Sequence, residues 1–136
     1  MPLINYKVGD LIEITDNECP CGRTLKIIKR IIGRDTDVIT TKSGKKIVVH
    51  LFTGLFQYAS GIKYFQIIQN KIDEIEIFIV KKDNFKKEEL DYIINKINDS
   101  SGNELKINIS FTKKIPREES GKRRILKSSI PYFNVA

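Results

Sequence analysis

The sequence predicts an α+β protein, with an N-terminal β-hairpin region followed by a small antiparallel sheet that carries two helices on one face. The apolar runs before residue 50 are short, and the run at 25–32 is rich in β-branched residues, which favours strands. From residue 51 onward the apolar period changes in the order α-β-β-α-β. A length of 136 residues suits one domain, or one small domain plus an adjoining hairpin.

The first part of the chain is predicted to form strands joined by turns. Residues 11–14 predict a short strand that ends in a turn-rich stretch. The β-branched run at 25–32 predicts a second strand, which stops at a glycine. Residues 37–41 and 46–50 flank a Lys-Ser-Gly-Lys turn, and this arrangement predicts a β-hairpin.

The second part alternates helices with strands. One helix is expected over residues 51–60, although Gly54 disfavours it, and a second is expected over 86–98, where apolar residues recur at i, i+3, i+4 and i+7. Apolar and polar residues alternate in three further segments, which predicts strands at 62–69, 74–80 and 105–111. The apolar residues of these elements are expected to form a core rather than a ligand cavity.

Composition and charge indicate an ordinary globular protein with a basic surface. Apolar residues make up 40% and charged residues 30%, as in an ordinary globular chain. No apolar run approaches the roughly 20 residues that cross a bilayer, and the first residues lack the layout of a signal peptide, so no membrane partner and a cytoplasmic location are expected. The net charge of +7 favours phosphate-bearing partners, among them nucleotides, coenzyme A and nucleic acid. Much of this charge lies near the end of the chain, at Lys113, Lys114, Arg117, Lys122, Arg123, Arg124 and Lys127.

The cysteines do not predict a metal site. Cys19 and Cys21 supply two thiols, which cannot complete a four-ligand zinc site, and the single histidine, His50, has no partner histidine. Their close spacing also makes a poor disulfide framework. We therefore expect a turn between strands with half-buried thiols, and zinc would need ligands from outside this chain.

One late segment places a lysine where it can meet an anion. Pro116 fixes φ and Gly121 permits backbone angles that other residues avoid, so Lys122 is expected on an exposed loop. A mobile ammonium suits phosphate or carboxylate, and Arg123 and Arg124 add fork-shaped donors. A solvated basic turn is the alternative interpretation of this segment by itself.

Four short motifs, in this order, resemble the C-terminal end of an adenylate-forming ligase. Residues 2–10 are similar to the Pro-Leu-Ile-Arg-Tyr-Arg-x-Gly-Asp segment of the phenylacetate–coenzyme A ligases and their relatives in capsular polysaccharide biosynthesis. Residues 19–23 resemble the Cys-x-Cys-Gly-Arg of that branch, and residues 33–37 its Gly-Arg-x-Asp-Asp hinge motif. Residues 120–122 match its late Ser-Gly-Lys.

The resemblance implies a role for several residues. Asp10 falls on the aspartate that binds the ribose hydroxyls of ATP, and Arg34 on the hinge arginine beside the nucleotide. Lys122 falls on the catalytic lysine, whose ammonium bridges the acid's carboxylate and the α-phosphate while the acyl-adenylate forms. In such ligases the small domain then swings about the hinge, so that a thiol, usually coenzyme A, attacks the adenylate.

The sequence departs from the family at three positions. Thr36 occupies the place of the hinge aspartate, with Asp35 and Asp37 on either side, so which of these three is the pivot stays open. Asn5 replaces an arginine, and Leu51 stands where a proline is common. With the hinge as boundary, residues 1–34 are expected to end the large N-terminal domain and residues 35–136 to form the small lid domain.

The glycine- and serine-rich loop that grips ATP phosphates in these ligases is not in the sequence. We therefore expect the C-terminal part of an acyl-CoA ligase that needs a large N-terminal domain as partner, with ATP, Mg and coenzyme A used by the full-length enzyme. The chain by itself is expected to bind none of these and to be inactive. The sequence leaves the carboxylic acid substrate open.

Two interpretations from other classes remain. A stand-alone module could bind RNA or another polyanion through the basic tail, but residues 113–127 contain no aromatic side chain on which bases would stack. A scaffold or homodimerisation domain that uses a sheet edge is the third.

Overall fold

The computed structural model describes residues 4, 9–34, 37–119 and 121–130, and their side chains except those of residues 11 and 32–34. The chain forms two compact units, residues 1–36 and 37–136. The boundary predicted between residues 34 and 35 concerns the two functional domains of a longer enzyme rather than the compactness of this chain. It therefore stays a prediction.

Unit 1 contains an antiparallel hairpin. Strand β1 (Asp10–Thr15) pairs with strand β2 (Ile27–Arg34), with register shifts after Leu11 and after Glu13. Such irregularities bend a strand and increase its twist. The predicted N-terminal hairpin region is confirmed, and β2 runs two residues further than the apolar pattern indicates because pairing with β1 continues to its end.

Unit 2 begins with the predicted second hairpin and first helix. Strands β3 (Val38–Thr40) and β4 (Lys46–Val48) pair antiparallel and lead directly into helix α1 (Val49–Gln57). The helix begins two residues earlier than predicted. Its first N–H, at Val49, donates to the carbonyl of Asp37 at 2.9 Å, which satisfies a donor that has no partner inside the helix.

The main sheet has four strands in the order β7-β6-β5-β8. Strands β5 (Ile62–Lys71) and β6 (Glu74–Lys81) form an antiparallel hairpin. Strand β7 (Lys106–Phe111) lies parallel to β6, and strand β8 (Leu126–Ser128) lies parallel to β5.

The sheet is therefore mixed, whereas the sequence predicted an antiparallel one. Helix α2 (Lys87–Ser101) carries the chain from the end of β6 back to its start, and a crossover of this length places the next strand parallel. Strand β8 was not predicted, because its three residues show no alternation of their own and its pairing depends on β5.

The core lies on one face of this sheet. Ile75, Ile77 and Ile79 of β6 are fully buried, and they belong to one cluster with apolar residues of both helices and of the β3–β4 hairpin. The helices contribute Phe52, Phe56, Leu90, Ile93 and Ile97. This arrangement confirms the α+β class with two helices on one face.

The opposite face of the sheet is crossed by residues 112–119 and 121–125, which we call the crossover segment. Strands β7 and β8 lie at opposite edges, so this segment has to pass over the sheet to join them. Ile115 is 3% exposed yet is not part of the helix-side core, and Gln66, whose neighbour Ile67 faces that core, donates to the carbonyl of Arg124. These contacts place the crossover segment on the face that the helices leave open.

Candidate functional site

Lys122 lies on an exposed turn within the crossover segment. Gly121, just before it, has φ of 78°, a conformation that glycine adopts without strain. The Lys122 side chain is exposed and its backbone belongs to no strand, which confirms the predicted loop position. Ser120, the first residue of the matched motif, lies outside the described residues.

Backbone hydrogen bonds close the turn on itself. The N–H of Glu118 donates to the carbonyl of Lys122 at 2.9 Å, and the N–H of Gly121 donates to the carbonyl of Glu118 at 2.8 Å. Nη1 of Arg117 adds a bond to the carbonyl of Gly121 at 3.1 Å. The backbone that bears Lys122 is therefore held on its N-terminal side by the turn itself.

On its C-terminal side, strand β5 holds the same backbone. Nε2 of Gln66 donates to the carbonyl of Arg124 at 2.7 Å, and the Arg123 guanidinium lies 4.0 Å from the centroid of the Tyr64 ring. Gln66 is 5% exposed, so the hydrogen bond from its side-chain amide is shielded from water. The backbone at Lys122 is therefore held on both sides, while the Lys122 side chain is exposed.

The Lys122 ammonium makes no ion pair with the part of the chain that the structure describes. Within the turn, the carboxylate of Glu118 faces Lys127 at 3.7 Å. A compact ammonium on a long, flexible stem can bind a phosphate or carboxylate as a point charge. The turn is thus chemically able to present a cation to an anionic group outside it.

Asp10 and Arg34 come together at one end of the unit 1 hairpin. They are the first residue of β1 and the last residue of β2, and their Cα atoms are register partners. The sequence places them 24 positions apart, so the antiparallel pairing is what makes them neighbours. The Asp10 side chain is exposed.

Of the three candidate hinge residues, the structure describes only Asp37. Asp35 and Thr36 lie outside the described residues. Asp37 is half-buried, and its carbonyl accepts the first N–H of helix α1. The assignment of a pivot among them therefore stays a prediction.

Cys19 and Cys21 lie in the turn between β1 and β2, as predicted, but only Cys19 is half-buried, whereas Cys21 is exposed because the turn projects it away from both strands. Their sulfur atoms are 2.7 Å apart, and the turn is closed by a bond from the N–H of Gly22 to the carbonyl of Cys19. A hydrogen bond from the Cys19 thiol, together with one from the backbone N–H of Arg23, lowers the pKa of Cys21. Among the described residues, no group of three or more potential metal ligands comes together.

The hairpin of unit 1 also carries an exposed apolar surface, which the sequence analysis missed. Ile12 lies opposite Ile31 and Ile14 opposite Ile28, so the four side chains are cross-strand neighbours. They are between 41% and 68% exposed. The β-branched pattern that predicted the strands was also a signal for this surface, but exposure depends on what lies against each face.

Sequence reasoning also missed Tyr64 and Gln66. Both belong to an alternating stretch that indicates only a strand with two covered faces. A glutamine at a position that alternates with core isoleucines was the available signal, since a buried amide needs a hydrogen-bond partner.

The described helices include none with both the length and the apolar character of a membrane span.

Comparison with known proteins agrees with this architecture. The family model described as the CapK C-terminal domain matches residues 39–129. The chain is 32% identical to Protein CapK of Staphylococcus aureus over 134 residues, which cover 95% of this chain and 29% of that protein. It is 26% identical to the phenylacetate-coenzyme A ligase of Thermus thermophilus over 149 residues, which cover 93% of this chain and 34% of that protein.

A solved structure shares the fold. The open conformation of 2-hydroxyisobutyryl-CoA ligase, in complex with 2-HIB-AMP and CoA, superposes with a TM-score of 0.51 at 22% identity. The match covers 87% of this chain and 27% of that one. The chain therefore spans only about a third of the length of the relatives that it matches.

Proposed function

The chain belongs to the CapK C-terminal domain family, and from this premise we propose that it is the lysine-bearing small domain of an ATP-dependent acid–thiol ligase. The observation that carries the proposal is the exposed turn at Lys122, which holds its backbone by hydrogen bonds while its ammonium makes no ion pair among the described residues. A catalytic cation has to meet these two conditions, because it must be accurately placed and still available to substrate. The phenylacetate-coenzyme A ligase among the relatives supports the acyl-CoA class.

In the proposed reaction, Lys122 acts in the first half. Its ammonium lies between the carboxylate of the acid and the α-phosphate of ATP, and it stabilises the negative charge that develops as the carboxylate oxygen attacks and pyrophosphate leaves. Asp10 accepts hydrogen bonds from the ribose hydroxyls, and Arg34 lies beside the nucleotide. In the second half, the thiol of coenzyme A attacks the adenylate carbonyl and AMP leaves.

The Mg ion that accompanies ATP is typically held by the substrate phosphates, water and only one or two carboxylates of an enzyme. We therefore assign no step of the reaction to a metal bound by this part of the chain. The acid, ATP and coenzyme A are treated as substrates of the longer enzyme.

A large partner domain is part of the proposal. The four exposed isoleucines of the hairpin form a contiguous apolar surface of the kind that marks a protein–protein contact. The relatives are about three times as long as this chain. We propose that the additional domain covers the isoleucine surface and supplies the phosphate-gripping loop and the acyl pocket.

The test separates the two half-reactions in a chain that includes the large domain. Lys122→Ala should slow acid-dependent ATP–pyrophosphate exchange by about 10²–10³, the cost of removing one well-placed charge stabiliser. Thiol attack on preformed acyl-adenylate should be nearly unchanged. Lys122→Arg should also be slow in exchange, because a planar fork does not replace a compact ammonium at a crowded phosphate.

Lys113→Ala is the matched control, since Lys113 is an exposed lysine of the same crossover segment. It should leave both half-reactions intact. Equal losses in both half-reactions for Lys122→Ala would instead make Lys122 a structural residue and contradict its catalytic assignment.

A further inference from the structure

The contacts that hold the Lys122 turn come from two sides that differ in kind. The N-terminal contacts are bonds within the turn and one partly exposed ion pair at 3.7 Å between Glu118 and Lys127 of β8, a kind of pair that contributes little. The C-terminal contacts come from strand β5 and are shielded or stacked. A turn closed only on itself could tilt as a unit over the sheet. The contacts from β5 are the contacts with the sheet nearest to Lys122 along the chain, so we expect them to contribute most to where the lysine points.

Gln66 supplies the first of these contacts. Its amide donates to the carbonyl of Arg124 at 2.7 Å, and in the next residue the N–H of Ile67 donates to the carbonyl of Ile125, also at 2.7 Å. Consecutive carbonyls of the crossover segment are thus bound by consecutive residues of β5. The side-chain bond extends the attachment of β8 one residue closer to Lys122.

Tyr64 supplies the second contact. The Arg123 guanidinium lies over its ring at 4.0 Å, and Nε of Arg123 is buried without a hydrogen-bond partner in the described part of the chain. The described position of this guanidinium thus depends on stacking against the ring, a cation–π contact. Arg123 directly follows Lys122, so this stack is the contact from the sheet nearest to the lysine.

We infer that Tyr64 and Gln66 are positioning residues for Lys122, which set the direction in which strand β5 presents the lysine to substrate. The inference rests on the proposed function, because it assumes that Lys122 acts in adenylation. A displacement of about 1 Å in a reacting group can cost 10²-fold in rate. Loss of either contact should therefore lower the rate of adenylation while substrate binding is retained.

The experiment uses the ligase chain that includes the large domain, with ATP–pyrophosphate exchange as the readout. Tyr64→Leu and Gln66→Leu should each lower kcat for exchange by roughly 10- to 100-fold, with the KM for ATP and for the acid unchanged. Thiol attack on preformed acyl-adenylate should keep its rate. Tyr64→Phe keeps the ring and should restore kcat to near that of the unaltered enzyme.

Arg123→Ala provides a second test that does not depend on substitutions in the sheet. Arg123 lies on the crossover segment, and its removal should lower kcat for exchange about as much as Tyr64→Leu does. Because both changes remove one contact, the double variant should be no slower than the slower single variant. Tyr92→Leu, an exposed tyrosine of helix α2, is the control and should leave kcat unchanged.

The outcomes distinguish this inference from the proposed function. If Lys122→Ala abolishes exchange but the Tyr64, Gln66 and Arg123 variants match the control, the inference is overturned and the proposed function stands. If these variants lose both half-reactions together, or if their effects add fully, the residues only stabilise the fold and the inference is again overturned. If Lys122→Ala leaves exchange intact, both proposals are overturned.

Discussion

The buried side-chain amide of Gln69 joins distant parts of unit 2 by hydrogen bonds. The Gln69 side chain is fully buried, and it accepts from the N–H of Thr40 at 3.1 Å while it donates to the carbonyl of Thr40 at 2.7 Å. The hydroxyl of Ser128 donates to the same amide oxygen at 3.1 Å. One side chain thus connects strands β3, β5 and β8, and each buried polar group left unpaired by its loss would cost about 1–3 kcal/mol.

The cysteine turn gives a prediction about reactivity at the scale of one residue. The pKa of Cys21 is lowered by the hydrogen bond from the Cys19 thiol, so its thiolate forms at a lower pH than that of an ordinary cysteine. The alkylation of Cys21 by iodoacetamide, followed against pH by mass spectrometry, should therefore have its midpoint below the roughly 8.5 of a free cysteine.

Cys19→Ala is the control for this measurement. It removes the strongest hydrogen bond to the Cys21 sulfur and should move the midpoint back toward the ordinary value. Identical midpoints in the two proteins would show that the neighbouring thiol does not stabilise the thiolate.

The helices of unit 2 are stabilised at their ends by different means. Helix α2 ends at Gly102, whose φ of 67° belongs to the left-handed region, and the N–H of Asn103 bonds back to the carbonyl of Asn98 at 2.9 Å. Near its start, Glu89 accepts from the hydroxyl of Ser60 and from the N–H of Gly61. These bonds lower the pKa of Glu89 and tie α2 to the segment that follows α1.

Substitution by alanine should have opposite effects on stability at two glycines near these helices, Gly61 and Gly54. A Cβ at Gly61 would clash with the Cα of Phe85, which is a backbone atom and cannot easily move away. Gly61→Ala should therefore lower the free energy of unfolding by about 1–3 kcal/mol or more, as in other overpacked sites. The measurement is urea unfolding followed by circular dichroism.

Gly54→Ala is the matched substitution. Gly54 lies within helix α1 and a Cβ there meets nothing within 4 Å, so alanine should raise the free energy of unfolding by up to about 1 kcal/mol. A loss of stability in Gly54→Ala, or none in Gly61→Ala, would contradict the packing described around these residues.

At the scale of the whole molecule, the two units differ in how they bury their apolar residues. Unit 2 has a core formed by its helices, its hairpin and one face of its sheet. The hairpin of unit 1 leaves four paired isoleucines exposed. This difference agrees with the proposal that unit 1 completes a larger domain, whereas unit 2 is a domain with its own core.

The isolated chain should therefore fold but not catalyse. We expect circular dichroism to show the helices of unit 2 and a cooperative melting transition. Acid-dependent pyrophosphate exchange with a panel of carboxylic acids should stay at background, because the proposed acyl pocket and phosphate-gripping loop belong to the additional domain. Clear exchange by this chain alone would contradict the proposed division of the active site.

Local patterns in the sequence determined most of the elements. Alternation and the i, i+3, i+4 period depend only on neighbours along the chain, which is why strand β6, helix α2 and the exposed glycine turn at Lys122 were predicted with ends accurate to a few residues. The four motifs predicted the family, which the comparisons confirm.

The tertiary structure alone decided how these elements combine. The parallel pairing of β7 and β8 depends on where the crossovers return the chain, and no local period records that direction. Gln66 meets Arg124 across 58 positions, and Tyr64 meets Arg123 at a similar separation. Such contacts arise because a sheet brings distant residues within hydrogen-bonding distance, so the surroundings of Lys122 became visible only in the folded chain.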